Sequence, residues 1–141
     1  MYDIRITDYL TDEEKFIRNK VFVEEQGFVD EFDEIDDNSY HIVIYDKDKP
    51  IACCRCYTLE DKTEYILGRF AVIKEYRRKH IGTELLKAAE KIAKDNNAVK
   101  MSLSAQCRAK EFYKSCGFIE MGEIYYDQYC EHIHMEKSLA D

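Results

Sequence analysis

The 141-residue chain contains no tryptophan, a single proline (Pro50) and only five glycines. Residues that break elements and build linkers are too sparse for a low-complexity tract or an interdomain linker, and no internal repeat is visible. One domain spanning residues 1–141, long enough to bury its own core, is expected. No run approaches the 18 or more apolar residues of a membrane span. The start, Met1-Tyr2-Asp3-Ile4-Arg5, lacks the basic-then-apolar layout of a signal peptide. A cytoplasmic protein with no membrane partner is expected. Positive charge is also in deficit, with 21 Lys and Arg against 29 Asp and Glu and a net charge of −8. A nucleic-acid partner, which requires an extended basic face, is therefore not expected, although a local anion site is compatible with this balance.

Metal-ligand spacing is missing too. The six cysteines are Cys53, Cys54, Cys56, Cys107, Cys116 and Cys130, and the Cys-Cys-Arg-Cys run is not the paired C-x-x-C of a zinc ribbon. On a strand, Cys54 and Cys56 face one way and Cys53 the other, poor geometry for one shared ion. Free thiols acting as small buried hydrophobes, with no metal, are expected. His132 and His134, which share a strand face, keep a metal or redox protein as a minor alternative.

Val, Ile and Tyr runs mark strands over residues 2–6, 41–45, 51–59, 65–72, 99–103, 117–126 and 128–137. Thr11 and Glu14 form an S/T-x-x-E capping box opening a helix to about Gln26, ended by Gly27. Asp46 to Pro50 is hairpin-turn chemistry. Ile81, Leu85, Leu86, Ala89, Ile92 and Ala93 recur with helical period over 81–94, and a short helix fits 108–115. Residues 28–39, with Asp30, Glu31, Asp33, Glu34, Asp36 and Asp37, read as an acidic loop with a short helical turn. The expected fold class is α/β (α+β): a mixed, mostly antiparallel central sheet of about seven strands flanked by about four helices.

The informative stretch runs from Arg69 to Leu86, where an apolar strand passes through Arg77-Arg78-Lys79-His80 into the strongest helix. A helix N-terminus offers unpaired N–H groups and partial positive charge to an anion, the basic side chains add fixed charge, and Gly82 removes a side chain where a ligand could approach. A solvated basic turn accounts for the same residues. Arg77-Arg78-Lys79-His80-Ile81-Gly82 resembles the [Q/R]-x-x-G-x-[G/A] signature of the GNAT superfamily of acyl-CoA-dependent N-acetyltransferases, with His80 where the first glycine stands. Ala109-Lys-Glu-Phe112-Tyr113-Lys-Ser-Cys-Gly117-Phe118 resembles that family's A-x-x-F-Y-x-x-x-G-F, although plain core packing explains a Phe-Tyr pair equally. Arg18-Asn-Lys-Val21-Phe22-Val23-Glu24-Glu25-Gln26 and His132-Ile-His-Met135 resemble the helix and the last strand of the ElaA-like branch, so the likeness spans most of the chain.

The resemblance implies acetyl-CoA as co-substrate. Its phosphates would lie on the turn formed by Arg77, Arg78, Lys79, His80, Ile81, Gly82 and Thr83, and its pantetheine arm would pair like a strand with Ala71, Val72 and Ile73. It implies direct attack by a primary amine, with Tyr113 protonating the leaving thiolate as general acid. For removing the amine's proton, Glu25 is the first choice by branch pattern. Glu64 and Asp127 are further candidates, while imidazole, with an ordinary pKa near 6.5, makes His41 and His132 chemically apt. Glu25, His41 and His132 are also expected around the acceptor. Residues 1–40 carry 13 acidic and 4 basic side chains, an imbalance that would steer a cationic acceptor such as a polyamine, an amino sugar or a lysine side chain, or else solubilise the surface. A degenerate acyl-CoA sensor or scaffold is the competing class, and a homodimer is left open.

Overall fold

The computed structural model describes residues 2–28, 31–59, 63–127 and 130–139. Its strands are β1 (Asp3–Thr7), β2 (Tyr40–Asp46), β3 (Lys49–Thr58), β4 (Glu64–Val72), β5 (Lys100–Gln106), β6 (Ile119–Asp127) and β7 (Cys130–Ser138). They form one sheet in the order β1-β2-β3-β4-β5-β7-β6. Every neighbouring pair is antiparallel except β4 with β5, which run parallel. This is the expected mixed, mostly antiparallel sheet. Asp30 of the acidic segment and Gln128, where the last strand was expected to begin, lie outside the described residues.

β3 is continuously buried from Ile51 to Cys56 because helices cover both faces of the sheet's centre, so strict alternation gives way to an unbroken apolar run. Arg55 sits inside that run, and its charge has to be met there. Cys53, Cys54 and Cys56 are buried free thiols packed as hydrophobes, and burial raises each of them above the ordinary thiol range. Helix α2 (Ile81–Asp95) buries Ile81, Leu85, Leu86, Ala89, Ile92 and Ala93, the stripe its periodicity predicts. Removing each of the larger aliphatic side chains from water contributes about 1.5–3 kcal/mol.

Among the described residues the sheet is flanked by three α-helices, α1 (Asp12–Arg18), α2 and α3 (Lys110–Ser115), and by a 3₁₀ helix at Glu34–Asn38, the short helical turn expected in the acidic segment. The first is capped by Thr11, whose hydroxyl accepts from the Glu14 N–H at 3.1 Å. It then changes at Asn19 into a π-helix through Glu25 instead of continuing as an α-helix. The Glu14 side chain does not return to the cap, because it is drawn inward to Arg18 and His41. Gly27, at φ +76°, ends the segment as expected.

The parallel pairing of β4 with β5 extends only from Glu64/Lys100 to Leu67/Leu103. Beyond it the strands separate, and Gly68 to Val72 of β4 face Ser104 and Gln106 of β5 across an open cleft. No helix of the described residues is long and apolar enough to cross a membrane.

Candidate active site

The cleft encloses about 820 Å³ between the parted strands, the π-helical segment and α3. Along one wall, from Gly68 onward, β4 is hydrogen-bonded to β3 on its far side only, so its cleft-side backbone groups other than the Val72 carbonyl, which accepts from Arg77, need partners. Ala71, Val72 and Arg77 line this wall, whereas Ile73 turns into the core and donates its N–H to the Ile51 carbonyl at 2.9 Å. That Ile73 N–H is thus committed to β3.

Past a 3₁₀ turn at Lys74–Tyr76 the chain reaches the basic residues. Arg78 and His80 both adopt left-handed backbone, at φ +64° and +63°, and His80 is the N-cap of α2 without any side-chain capping bond. Histidine thus supplies the backbone angle that a glycine gives freely, at a cost of about 1–2 kcal/mol. The N–H groups of the first helical turn, from Ile81 to Thr83, receive no side-chain cap and are free to meet an anion. Arg78, Lys79 and His80 are exposed around them. Gly82 does not face open space: a β-carbon there would lie 3.2 Å from Phe112 Cζ and 3.7 Å from Phe70. The glycine lets the start of α2 pack closely against Phe112 of α3 and Phe70 of β4.

Tyr113, on α3, lines the cleft with 7% of its surface exposed. Its ring lies edge-on to Phe70, Phe112 and Phe118 at centroid distances of 5.8, 5.2 and 5.9 Å. Burial pushes its phenol well above the ordinary range, so it is protonated at neutral pH and has a proton to give. Its hydroxyl has no hydrogen-bond partner among the described residues.

Glu25 also lines the cleft, bound through both oxygens to Arg77 at 2.7 and 2.8 Å, while Arg77 Nε donates to the Val72 carbonyl at 2.8 Å. The hydrogen bonds from Arg77 hold the Glu25 carboxyl below its usual range, with Lys74 and Arg108 adding to the effect. A carboxylate held this way is a poor proton acceptor. His132 lines the cleft at 7% exposure, its Nδ1 2.9 Å from the Cys130 carbonyl and its ring stacked on that of Tyr125 at an interplanar angle of 24°.

His41 is elsewhere, which corrects its expected place beside the acceptor. It is wholly buried, with Nδ1 2.8 Å from Glu14 Oε1 and Nε2 2.8 Å from the Asp36 carbonyl. Both partners only accept, so both nitrogens carry protons and His41 is an imidazolium. Burial opposes this charge, but the bonds to Glu14 and Asp36 outweigh it and raise the pKa. Around it Arg18 binds Glu14, Glu31 and Asp36, Arg55 binds Asp33 and Asp36, and Arg69 binds Glu31 and Asp33. Four cations thus meet four carboxylates. Glu14, Asp36 and His41 have ligand atoms close enough for a metal ion, but each of those atoms is already engaged by Arg18, Arg55 or another member of the cluster.

This network forms the end of the cleft, where Glu31, Asp33, Arg55 and Arg69 line the wall. The acidic segment, which reads in sequence as a steering or solubilising surface, thus has Glu31, Asp33 and Asp36 each bound by two of three arginines. The available signal was Arg55, alone among buried cysteines. Asp127 remains on the cleft without an ion-pair partner among the described residues.

The acetyltransferase (GNAT) family model matches residues 3–118, and the chain belongs to that family. The uncharacterized N-acetyltransferase YjcF of Bacillus subtilis is 36% identical over 125 residues, 86% of this chain and 88% of that protein. The crystal structure of Escherichia coli ElaA superposes with a TM-score of 0.85 at 25% identity, covering 97% of this chain and 99% of that one. An acyl-CoA N-acyltransferase from Pseudomonas aeruginosa shares the fold, with a TM-score of 0.84 at 24% identity over 97% of this chain and 99% of that one. Within the family the chain fits the ElaA-like branch, and it is an acyltransferase.

Proposed function

We propose that this protein transfers the acetyl group of acetyl-CoA to a primary amine by direct attack. The observation that carries the reading is the parting of β4 from β5 beside an uncapped, basic helix start: the cleft offers an extended row of backbone partners leading from an anion site toward a protonated phenol. Pyrophosphate oxygens fit the N–H groups at the start of α2, with Arg77, Arg78 and Lys79 supplying charge, and the amides of the pantetheine arm fit the free edge of β4 at Ala71 and Val72. The thioester then lies within the cleft that Tyr113 lines. The amine nitrogen attacks the carbonyl carbon, and backbone donors stabilise the oxyanion. The C–S bond breaks as Tyr113 gives its proton to sulfur. Asp127 favours a cationic acceptor, with a polyamine, an amino sugar or a lysine side chain as the classes to try.

The test is calorimetric titration with acetyl-CoA and CoA, followed by thiol release with spermidine, glucosamine and a lysine peptide, corrected by a no-acceptor control for the six cysteines. Micromolar binding and turnover with one amine class are expected. Tyr113→Phe should retain binding and lose about 10²–10⁴ in kcat. A folded protein that binds neither form of the cofactor would end the reading.

A further inference from the structure

Acyl transfer to an amine requires a base, because the acceptor arrives as an ammonium ion. We propose that His132, through Nε2, is that base, rather than Glu25. The assignment rests on the acyl-transfer reading above. The carboxylates lining the cleft are Glu25, Glu31, Asp33 and Asp127. The first three are bound to Arg77, to Arg18 and Arg69, and to Arg55 and Arg69, so a proton gained on any of them would break a guanidinium pair. Asp127 is exposed at the end of β6, and no hydrogen bond or ion pair among the described residues holds its carboxylate in one direction.

His132 differs in having its tautomer set by the backbone. Its Nδ1 lies 2.9 Å from the Cys130 carbonyl, which only accepts, so in the neutral ring the proton is on Nδ1 and the lone pair is on Nε2. Nε2 has no partner among the described residues and is not among their buried unpaired atoms, so it is open to the cleft. The ring is held in place as well. It stacks on Tyr125 at 6.0 Å, the Tyr125 hydroxyl contacts Ser104 Oγ across the strands, and the β7 register sets His132 beside Gln106, in the part of β5 that has already separated from β4. Tyr125 on β6 is the titratable group packed against it; its cleft is also lined by Glu25 and Arg77, by Tyr57, Arg108, Tyr113 and Asp127, and by the ion-paired Glu31, Asp33, Arg55 and Arg69.

The protons balance. Nε2 takes one from the ammonium ion and passes it to solvent, the freed amine forms the N–C bond, and sulfur leaves with the Tyr113 proton. The second N–H proton, released on collapse, restores the phenol, so each turnover gives amide, CoA thiol and one proton.

His132→Gln should keep wild-type acetyl-CoA affinity and lose about 10²-fold or more in kcat at pH 7 with the amine that turns over. Its rate should climb about tenfold per pH unit toward the amine's own pKa, closing the gap at high pH, which a merely structural loss would not do. In wild-type protein with ¹⁵N-labelled histidine, NMR at pH 8 should show the His132 proton on Nδ1 and Nε2 bare. This second reading requires neither turnover nor a folded variant. A proton on Nε2, or a variant with the wild-type rate and pH profile, would overturn the assignment. If wild-type protein fails to bind acetyl-CoA, the acyl-transfer reading falls first and takes this assignment with it.

Discussion

Gly82 stands against Phe112 so closely that a β-carbon on it would lie 3.2 Å from the ring. The relationship joins the start of α2 to the residue beside Tyr113, so the cofactor turn and the proposed acid are set by one packing contact. Gly82→Val adds two further carbons where the first is already tight. It should destabilise the protein by about 1–3 kcal/mol and lower kcat by displacing Tyr113. Gly82→Ala, where up to about 1 kcal/mol of helix propensity offsets a small shift of the ring, should stay near wild type. Urea unfolding of both variants checks this, and equal stabilities would show that the contact constrains nothing.

His80 carries the strained backbone of the turn at φ +63°. Valine is far less tolerant of that conformation, so His80→Val should cost about 1–2 kcal/mol in stability or force the loop to change shape. In the second case the N–H groups at the start of α2 would no longer converge, and acetyl-CoA affinity should drop about tenfold. His80→Gly should retain both stability and binding. If the valine variant binds as tightly as the glycine variant, backbone conformation at this position is irrelevant to the cofactor.

How much of this was legible in the residues follows from what each signal depends on. The stripe from Ile81 to Ala93 is a local property, and it named both the helix and its buried face. The sheet followed from strand runs and turn chemistry in the same way. The change to π-helix at Asn19 had no local signal, because an i→i+5 register within good helix-forming sequence is set by what its side chains meet. For the same reason the acidic segment was misread: Glu31, Asp33 and Asp36 look solvated in sequence, and only the fold brings Arg18, Arg55 and Arg69 to them. Glu25 and His132 both line the cleft, and their chemical difference lies in partners 52 and 2 residues away, Arg77 and the Cys130 carbonyl.

The Glu25–Arg77 pair separates two roles for Glu25. Glu25→Gln removes a negative charge facing an anionic cofactor and leaves Arg77 free to meet phosphate. Acetyl-CoA should bind about 3–10-fold more tightly, with a steeper loss in salt, while kcat changes little. A calorimetric titration at two salt concentrations and a kcat measurement decide it. A fall of about 10²-fold in kcat with unchanged affinity would return the role of base to Glu25.

The His41 cluster predicts a pH dependence of stability with a definite sign. His41 is held as an imidazolium by Glu14 and Asp36, so its pKa in the folded state lies above that in the unfolded chain. Its contribution is fully present below the ordinary imidazole range, near 6.5, and is lost as pH rises through the folded value. Deprotonation leaves four carboxylates against three arginines and one nitrogen without a proton to donate. The clean window ends near pH 8.5, where the buried thiols, also raised by folding, begin to add their own loss. Urea midpoints should therefore fall between pH 6.5 and 8.5 in the wild type. His41→Gln should be less stable at pH 6 by about 3 kcal/mol or more, because it strands charge in a buried network, and it should lose the slope. A wild-type midpoint that is flat across that window, or a variant that keeps the slope, would show that His41 is not the imidazolium its two acceptors require.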